Sequence, residues 1–143
     1  MAYCTLTDIK KLIPETLIIQ LTDDENIGTV NQSRVDEAIA QADAEIDSYC
    51  GGRYAVPFTT VPDIAKKISV DIAIYNLYSR RVESLPETRA DRYKNAIRQL
   101  EGIAKGLVSI GEQPEPPAPD TGGTQINVTS NDRVFTRETL GNF

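Results

Sequence analysis

The sequence predicts an all-α protein: a small bundle of about four helices that ends in an extended C-terminal arm containing a short strand. Three observations carry this. Apolar side chains recur every three or four residues over long stretches between Ser33 and Leu107. Capping residues or prolines bound each stretch. Past Gly111, Pro114, Pro116, Pro117 and Pro119 crowd into one segment where no helix can continue. The 143-residue chain, 40% apolar and 25% charged, is expected to form one globular domain over 1–110, followed by a Pro/Gly-rich linker over 111–124 and a docking arm over 125–143.

Taken in order, Thr5 or Thr7 caps a short opening helix through about Ile13, with Ile9, Leu12 and Ile13 on one side and Pro14 ending it. Leu17, Ile18, Ile19 and Leu21 form an apolar run that must be buried, and the polar Thr22–Asn26 stretch reads as a loop. Val35, Ala38, Ile39, Ala42, Ile46 and Tyr49 trace the stripe of a second helix over about Ser33–Cys50. Ser33 is its expected cap, and Gly51-Gly52 supply residues that tolerate positive φ at its end. Pro62 opens a third helix, with Ile64, Ala65, Ile68, Ile72 and Tyr75 on one face. Between Val70 and Tyr78 only Asp71 and Asn76 are polar, so this helix should be central. Ser84 and Glu87 suggest a capping box for a fourth helix, along which Tyr93, Ile97, Leu100, Ala104 and Leu107 repeat to about Gly106. Lys94, Arg98, Glu101 and Lys105 take its opposite face, which should meet water or an acidic neighbour.

The linker's prolines favour extended backbone, and at about 3.1 Å per residue such a segment spans on the order of 40 Å. Beyond it, Ile126 and Val128 alternate as in a strand, and Val134, Phe135, Leu140 and Phe143 are apolar anchors that a short arm cannot bury by itself. Docking on a partner, by strand addition or pocket filling, is the expected use; a loose tail or one folded back on its own bundle is the alternative.

Composition excludes much. No window approaches the roughly 18 apolar residues of a membrane helix, and the start MAYCTLTDIKK lacks a signal peptide's basic and apolar regions, so neither insertion nor secretion is expected. Histidine is absent, which removes the usual general base and the commonest metal ligand. Cys4 and Cys50 form no C-x-x-C pair and read as reduced thiols. The net charge of −6 argues against general affinity for nucleic acid. That charge is unevenly spread. Residues 1–50 carry ten acids and three bases, 51–110 six acids and ten bases, and 111–143 five acids and two bases. In a monomer this is a patterned surface, whereas in a homo-oligomer unlike faces of adjacent subunits can meet.

Asp23–Gly28 resembles the start of a calcium loop but fails the spacing test. Its fifth place is Ile27, and its twelfth is Arg34 where a bidentate Glu belongs. Asp43 and Asp47, one helical turn apart, read as surface charge rather than a cation site. No nucleophile motif, P-loop or dinucleotide fingerprint occurs, so no enzymatic activity and no cofactor or metal are expected. Asp71, in the enclosed helix, needs a partner, and Arg53 in the preceding loop is the candidate.

The stretch Ile46–Phe58, with Val61–Ile64 and Val70–Arg81, resembles the Mu-like phage head-to-tail adaptor family. Tyr3–Thr7, Ile13-Pro14-Glu15 and Arg133–Leu140 look similar too, so the likeness covers nearly the whole chain. Its most distinctive part is Arg53-Tyr54-x-x-Pro57 between two helices, which with Asp71 forms a structural junction.

The resemblance implies a structural head-to-tail connector of a tailed phage. Such a protein forms a homo-oligomeric ring, expected to be twelvefold, below the portal protein. It lets double-stranded DNA pass and recruits the next neck, stopper or tail-terminator component. It would reside in the virion neck, and in the host cytoplasm during assembly. In related adaptors the arm grips the portal, in keeping with the anchors at Val134, Phe135, Leu140 and Phe143. The long Pro-rich linker and the Gly-rich segment before Gln125 depart from the family pattern. An acidic channel repels phosphate, and Asp36, Glu37, Asp43 and Asp47 are candidates to line it. The alternative function is a helical regulatory binding protein that captures a host or phage partner through the C-terminal arm.

Overall fold

The computed structural model describes residues 1–81 and 84–111. Every regular element among the described residues is a helix: α1 (Leu6–Lys10), α2 (Glu15–Thr22), α3 (Gln32–Cys50), α4 (Asp63–Ser79) and α5 (Glu87–Ala104). The all-α expectation holds, with five helices in place of about four. The linker beyond Gly111 and the arm with its expected strand lie outside the described residues.

The added helix is α2. Its Leu17–Leu21 run is apolar except for Gln20, too short and dense to display the helical stripe in which Ile18, Leu21 and Thr22 point inward. Pro14 does not terminate α1, which ends at Lys10; it opens α2 as the N-cap. Proline suits that place because the first helical N–H groups need no intrahelical acceptor. α1 itself begins with a reciprocal cap. The Thr5 hydroxyl accepts from the Asp8 N–H, and Asp8 Oδ2 accepts from the Thr5 N–H at 3.1 Å.

Two other expected caps move. Asn31, not Ser33, caps α3 by accepting from the Arg34 N–H. Ser84 does not cap α5, which starts behind Pro86. The glycines after α3 also differ from expectation. Gly51 keeps a right-handed φ of −62°, and is required because a Cβ would come within 2.9 Å of the Asp47 carbonyl.

α4 is the central helix, packed between α3 and α5 and flanked by α1 and α2. Its buried residues, among them Ile68, Ile72, Ala73, Ile74, Leu77 and Tyr78, cover more than one face, as the scarcity of polar residues there predicted. α3 contributes Val35, Ala38, Ile39, Ala42 and Ile46; Cys50 completes its inner stripe while Tyr49 is half-buried. α5 is rotated from the expected register: Ala96, Leu100 and Ile103 are buried, whereas Ala104 and Leu107 are exposed. Each buried Ile or Leu contributes about 1.5–3 kcal/mol relative to exposure. No helix among the described residues is long and apolar enough to cross a membrane.

Candidate functional site

The segment between α3 and α4 is where the bundle is tied to the root of the arm. It turns back on α3 as Arg53 and Tyr54 N–H groups donate to the Cys50 carbonyl at 2.9 Å each, and it contains a cis Val56–Pro57 peptide. Tyr54 and Phe58 are core residues, and Pro57 is exposed. Arg53 crosses to α5, where Nη1 donates to the Ile103 carbonyl at 3.3 Å. A cation at a helix C-terminus meets the partial negative charge of the last carbonyls. Contrary to the expectation from the sequence, Arg53 therefore does not pair with Asp71. Asp71 Oδ1 receives Arg92 Nη1 from α5 at 3.1 Å. The expected partner lies in the preceding loop, but α5 runs beside α4 and brings Arg92 to the carboxylate first.

The α3 acids separate by face. Asp36, Asp43 and Asp47, at helical spacings of seven and four, line a cleft of about 650 Å³ with Cys4, Leu6, Ile39, Ala40, Ala44 and Pro57. Glu37 lies across the helix, beside Arg34 and Arg80. Asp36 and Glu37 are exposed, whereas Asp43 and Asp47 are half-buried and hold the N-terminal segment. The Tyr3 N–H donates to Asp43 Oδ2 at 3.0 Å, and the Tyr3 hydroxyl donates to Asp47 while accepting from the Phe58 N–H at 3.1 Å. Ser69 Oγ, on α4, donates to Asp43 Oδ1 at 2.8 Å. Burial pushes the Asp43 carboxyl up against the effect of these bonds. Burial also pushes the Tyr3 phenol up, helped by its bond to Asp47, and raises the Cys4 thiol to about 11.

A second polar centre, which the sequence did not reveal, closes the opposite side. Asp24 accepts from Arg80 at both oxygens, at 2.7 and 2.8 Å, and also pairs with Arg34 at 3.0 Å and with Arg81. Arg80 and Arg81 add bonds to the Leu21 and Gln20 carbonyls, so one carboxylate joins the α2–α3 loop to the ends of α2 and α4. These arginines, Arg80's hydrogen bond foremost, hold the Asp24 carboxyl down to about 2. The neighbouring Asp23 accepts from the Ile27 and Gly28 N–H groups at 3.0 and 2.6 Å. Its oxygens serve the loop backbone, in keeping with the failed calcium spacing. Asp24 lies 10 residues from Arg34 and 56 from Arg80, separations that leave no local pattern for sequence reading to use.

On α5, Lys94, Arg98, Glu101 and Lys105 are exposed as predicted. The root of the arm follows directly. Gly106 takes φ +77°, Ile110 is buried, and the described chain leaves the bundle at Gly111 beside the start of α4. The remaining predicted site residues, Ile126, Val128, Val134, Phe135, Leu140 and Phe143, lie outside the described residues.

The helical body and junction are matched together, not as isolated motifs, by the sequence model of the family described as Bacteriophage Mu, Gp36, over residues 3–128. The chain belongs to the bacteriophage Mu Gp36 family. Two relatives agree. The Mu-like prophage FluMu protein gp36 of Haemophilus influenzae is 39% identical over 83 residues, which are 58% of this chain and 57% of that protein. The chain thus spans little more than half of that relative. Gene product J of Escherichia phage Mu is 28% identical over 143 residues, 99% of each chain. The Gp36 match takes in Tyr3, the α3 acids, the Arg53–Pro57 junction, Asp71 and the first two apolar positions named in the arm, Ile126 and Val128.

Proposed function

We propose that this Gp36-family protein is a structural head-to-tail connector, which assembles as a ring below the portal, lets DNA pass and recruits the next neck or tail component. One observation carries the reading: a bundle whose core is closed delivers its chain through a pinned exit. Arg53 binds the end of α5 and Ile110 is buried just before Gly111. Thirty-two residues follow, and they hold Ile126, Val128, Val134, Phe135, Leu140 and Phe143. A fixed root lets such an arm act as a tether, because force or binding at its tip is transmitted to the bundle rather than absorbed by unravelling. Family membership places the protein among those of Mu-like phages, which agrees with a virion role.

In this reading the portal receives the arm, a twelvefold ring forms in the virion neck, and no bond chemistry is required. Asp36 and Glu37, exposed on the first turns of α3, supply carboxylates that repel passing phosphates. Asp43 and Asp47 serve that field less, since both bind the N-terminal segment.

The test is to mix the full chain with the portal of the same genome, image the product by electron microscopy, and repeat with a chain cut after Gly111. Rings on the portal with the full chain, and their loss with the cut chain, are the expected results. Attachment that survives the cut would remove the role given to the arm, and absence of any ring with the full chain would overturn the connector reading.

A further inference from the structure

The end of α5 makes a complete Schellman turn with an unusual outcome. Lys105 is the C-cap, Gly106 takes the left-handed position, its N–H donates to Ile103 at 3.0 Å, and the Leu107 N–H donates to Gly102 at 2.8 Å. In such a turn the residue in Leu107's place ordinarily packs on the side chain five residues before it. Here that residue is Gly102, which has none, and Val108 fills the space above it, with Cγ2 3.0 Å from where a Cβ would stand. Leu107 is left pointing outward, 81% exposed, on a turn that its hydrogen bonds hold rigid. Arg98 and Lys105 are exposed on the same end of α5, and Arg53 lies against Gly106. None of the three has a carboxylate within salt-bridge distance among the described residues.

The cleft on α3 has the complementary character. Its floor includes Ala40 and Ala44, both exposed, with Ile39, Leu6 and Pro57 beside them. Asp43 and Asp47 form its wall; neither pairs with a Lys or Arg among the described residues, while Tyr3 and Ser69 hydrogen-bond them and the Met1 amine lies near Asp43. A volume of about 650 Å³ exceeds what one apolar side chain needs. An apolar knob in a cationic surround and an apolar cleft with anionic walls thus occur on one chain, in the halves whose net charges are opposite.

We infer that Leu107 of one copy seats on Ala40 and Ala44 of the next, with Lys105 facing Asp43 and Asp47. The occupant is a second copy of this chain. Knob and cleft are different residues, so the contact can be made in one direction without being returned between the same two copies; such a heterologous contact, repeated head to tail, closes into a ring when the rotation permits. The closed ring rests on the connector reading, while the contact itself stands independently of any portal.

The experiment places Ala44→Cys and Leu107→Cys in one full-length chain, alone and with its portal, and oxidises it. The native Cys4 and Cys50 are buried and remain in place. A covalent ladder running beyond the dimer is expected from the double variant, a dimer at most from the two single variants mixed, and no cross-link from either single variant alone. In parallel, Leu107→Asp and Lys105→Glu should each raise the concentration for half-assembly about tenfold. Because both side chains are exposed, their thermal unfolding should match the parent. Rings on the portal without a ladder, or unchanged assembly of Leu107→Asp, would overturn the contact and leave the connector reading intact. A ladder without portal attachment would do the reverse, and absence of both would overturn both.

Discussion

Arg53 and Gly106 are shaped to each other: the guanidinium lies so close over the turn that a Cβ on Gly106 would stand 2.8 Å from Arg53 Cζ. The left-handed φ of +77° independently disfavours any side chain there. Gly106→Ala should therefore destabilise by about 1–3 kcal/mol, mostly from the strained φ and in smaller part from moving the flexible end of Arg53. In an Arg53→Ala background the steric part disappears, so the same substitution should cost about 1 kcal/mol less. Urea unfolding of the four variants measures this, and equal costs in both backgrounds would refute the coupling.

The pair on α4 and α5 should be asymmetric. Asp71 is 8% exposed and Arg92 48%. Removing Arg92 strands a buried carboxylate, whereas removing Asp71 frees an arginine that already reaches water. Arg92→Ala should cost about 1–3 kcal/mol, discounted for the half-exposed cation, and more than Asp71→Asn. Asp71→Asn and Arg53→Ala should add to within about 0.5 kcal/mol, since the two residues have separate partners. A double-mutant cycle by denaturant melts decides both points.

Tyr3→Phe should loosen the N-terminal segment. The change removes the acceptor of the Phe58 N–H and the donor to Asp47, an expected loss of about 1–3 kcal/mol. Cys4, adjacent and buried with its thiol raised to about 11, should resist labelling at pH 8 in the parent and react several-fold faster in the variant. Thiol-labelling kinetics report this.

Acid should act through Asp24 and Asp8. Arg80 holds Asp24 near 2, and at Asp8 the bonds from Thr5, Lys11 and Lys66 overcome the effect of burial and hold the carboxyl well below the usual range. Both folded values lie below the unfolded one, so the stability they contribute is complete above about pH 4 and is lost as pH falls through the folded values. Melting temperature should drop between pH 4 and 2, and Asp24→Asn should flatten that drop. Asp43 has the opposite sign. Burial raises its folded value, so its contribution is present at acid pH and declines as pH rises through that value. Asp43→Asn should therefore steepen the acid loss.

What could be read from residue order was what local periodicity encodes. The α3 stripe, the enclosed α4 and the exposed cationic side of α5 repeat every three or four residues, and such repeats survive without knowledge of neighbours. α2 was hidden because four apolar residues within the five of Leu17–Leu21 define no period. The α5 register slipped because Ala104 and Leu107 fit the spacing as well as Ala96 and Ile103 do, and only the position of α4 chooses between them. Arg53 was legible as a junction residue, yet its partner was not. Of the α3 acids, the spacing paired Asp43 with Asp47, but it neither separated Glu37 from Asp36 nor showed that Tyr3 would claim Asp43 and Asp47.

Amino-acid order by itself determined the helical class, the location of the core stripes, the division of charge and the positions of the apolar residues beyond Gly111. Tertiary structure alone decided which donor each carboxylate meets, because Asp24, Asp43 and Asp71 find partners 10 to 57 residues away. Helix formation depends on interactions within a few residues, whereas pairing depends on how whole helices stack, and no short-range pattern carries that information.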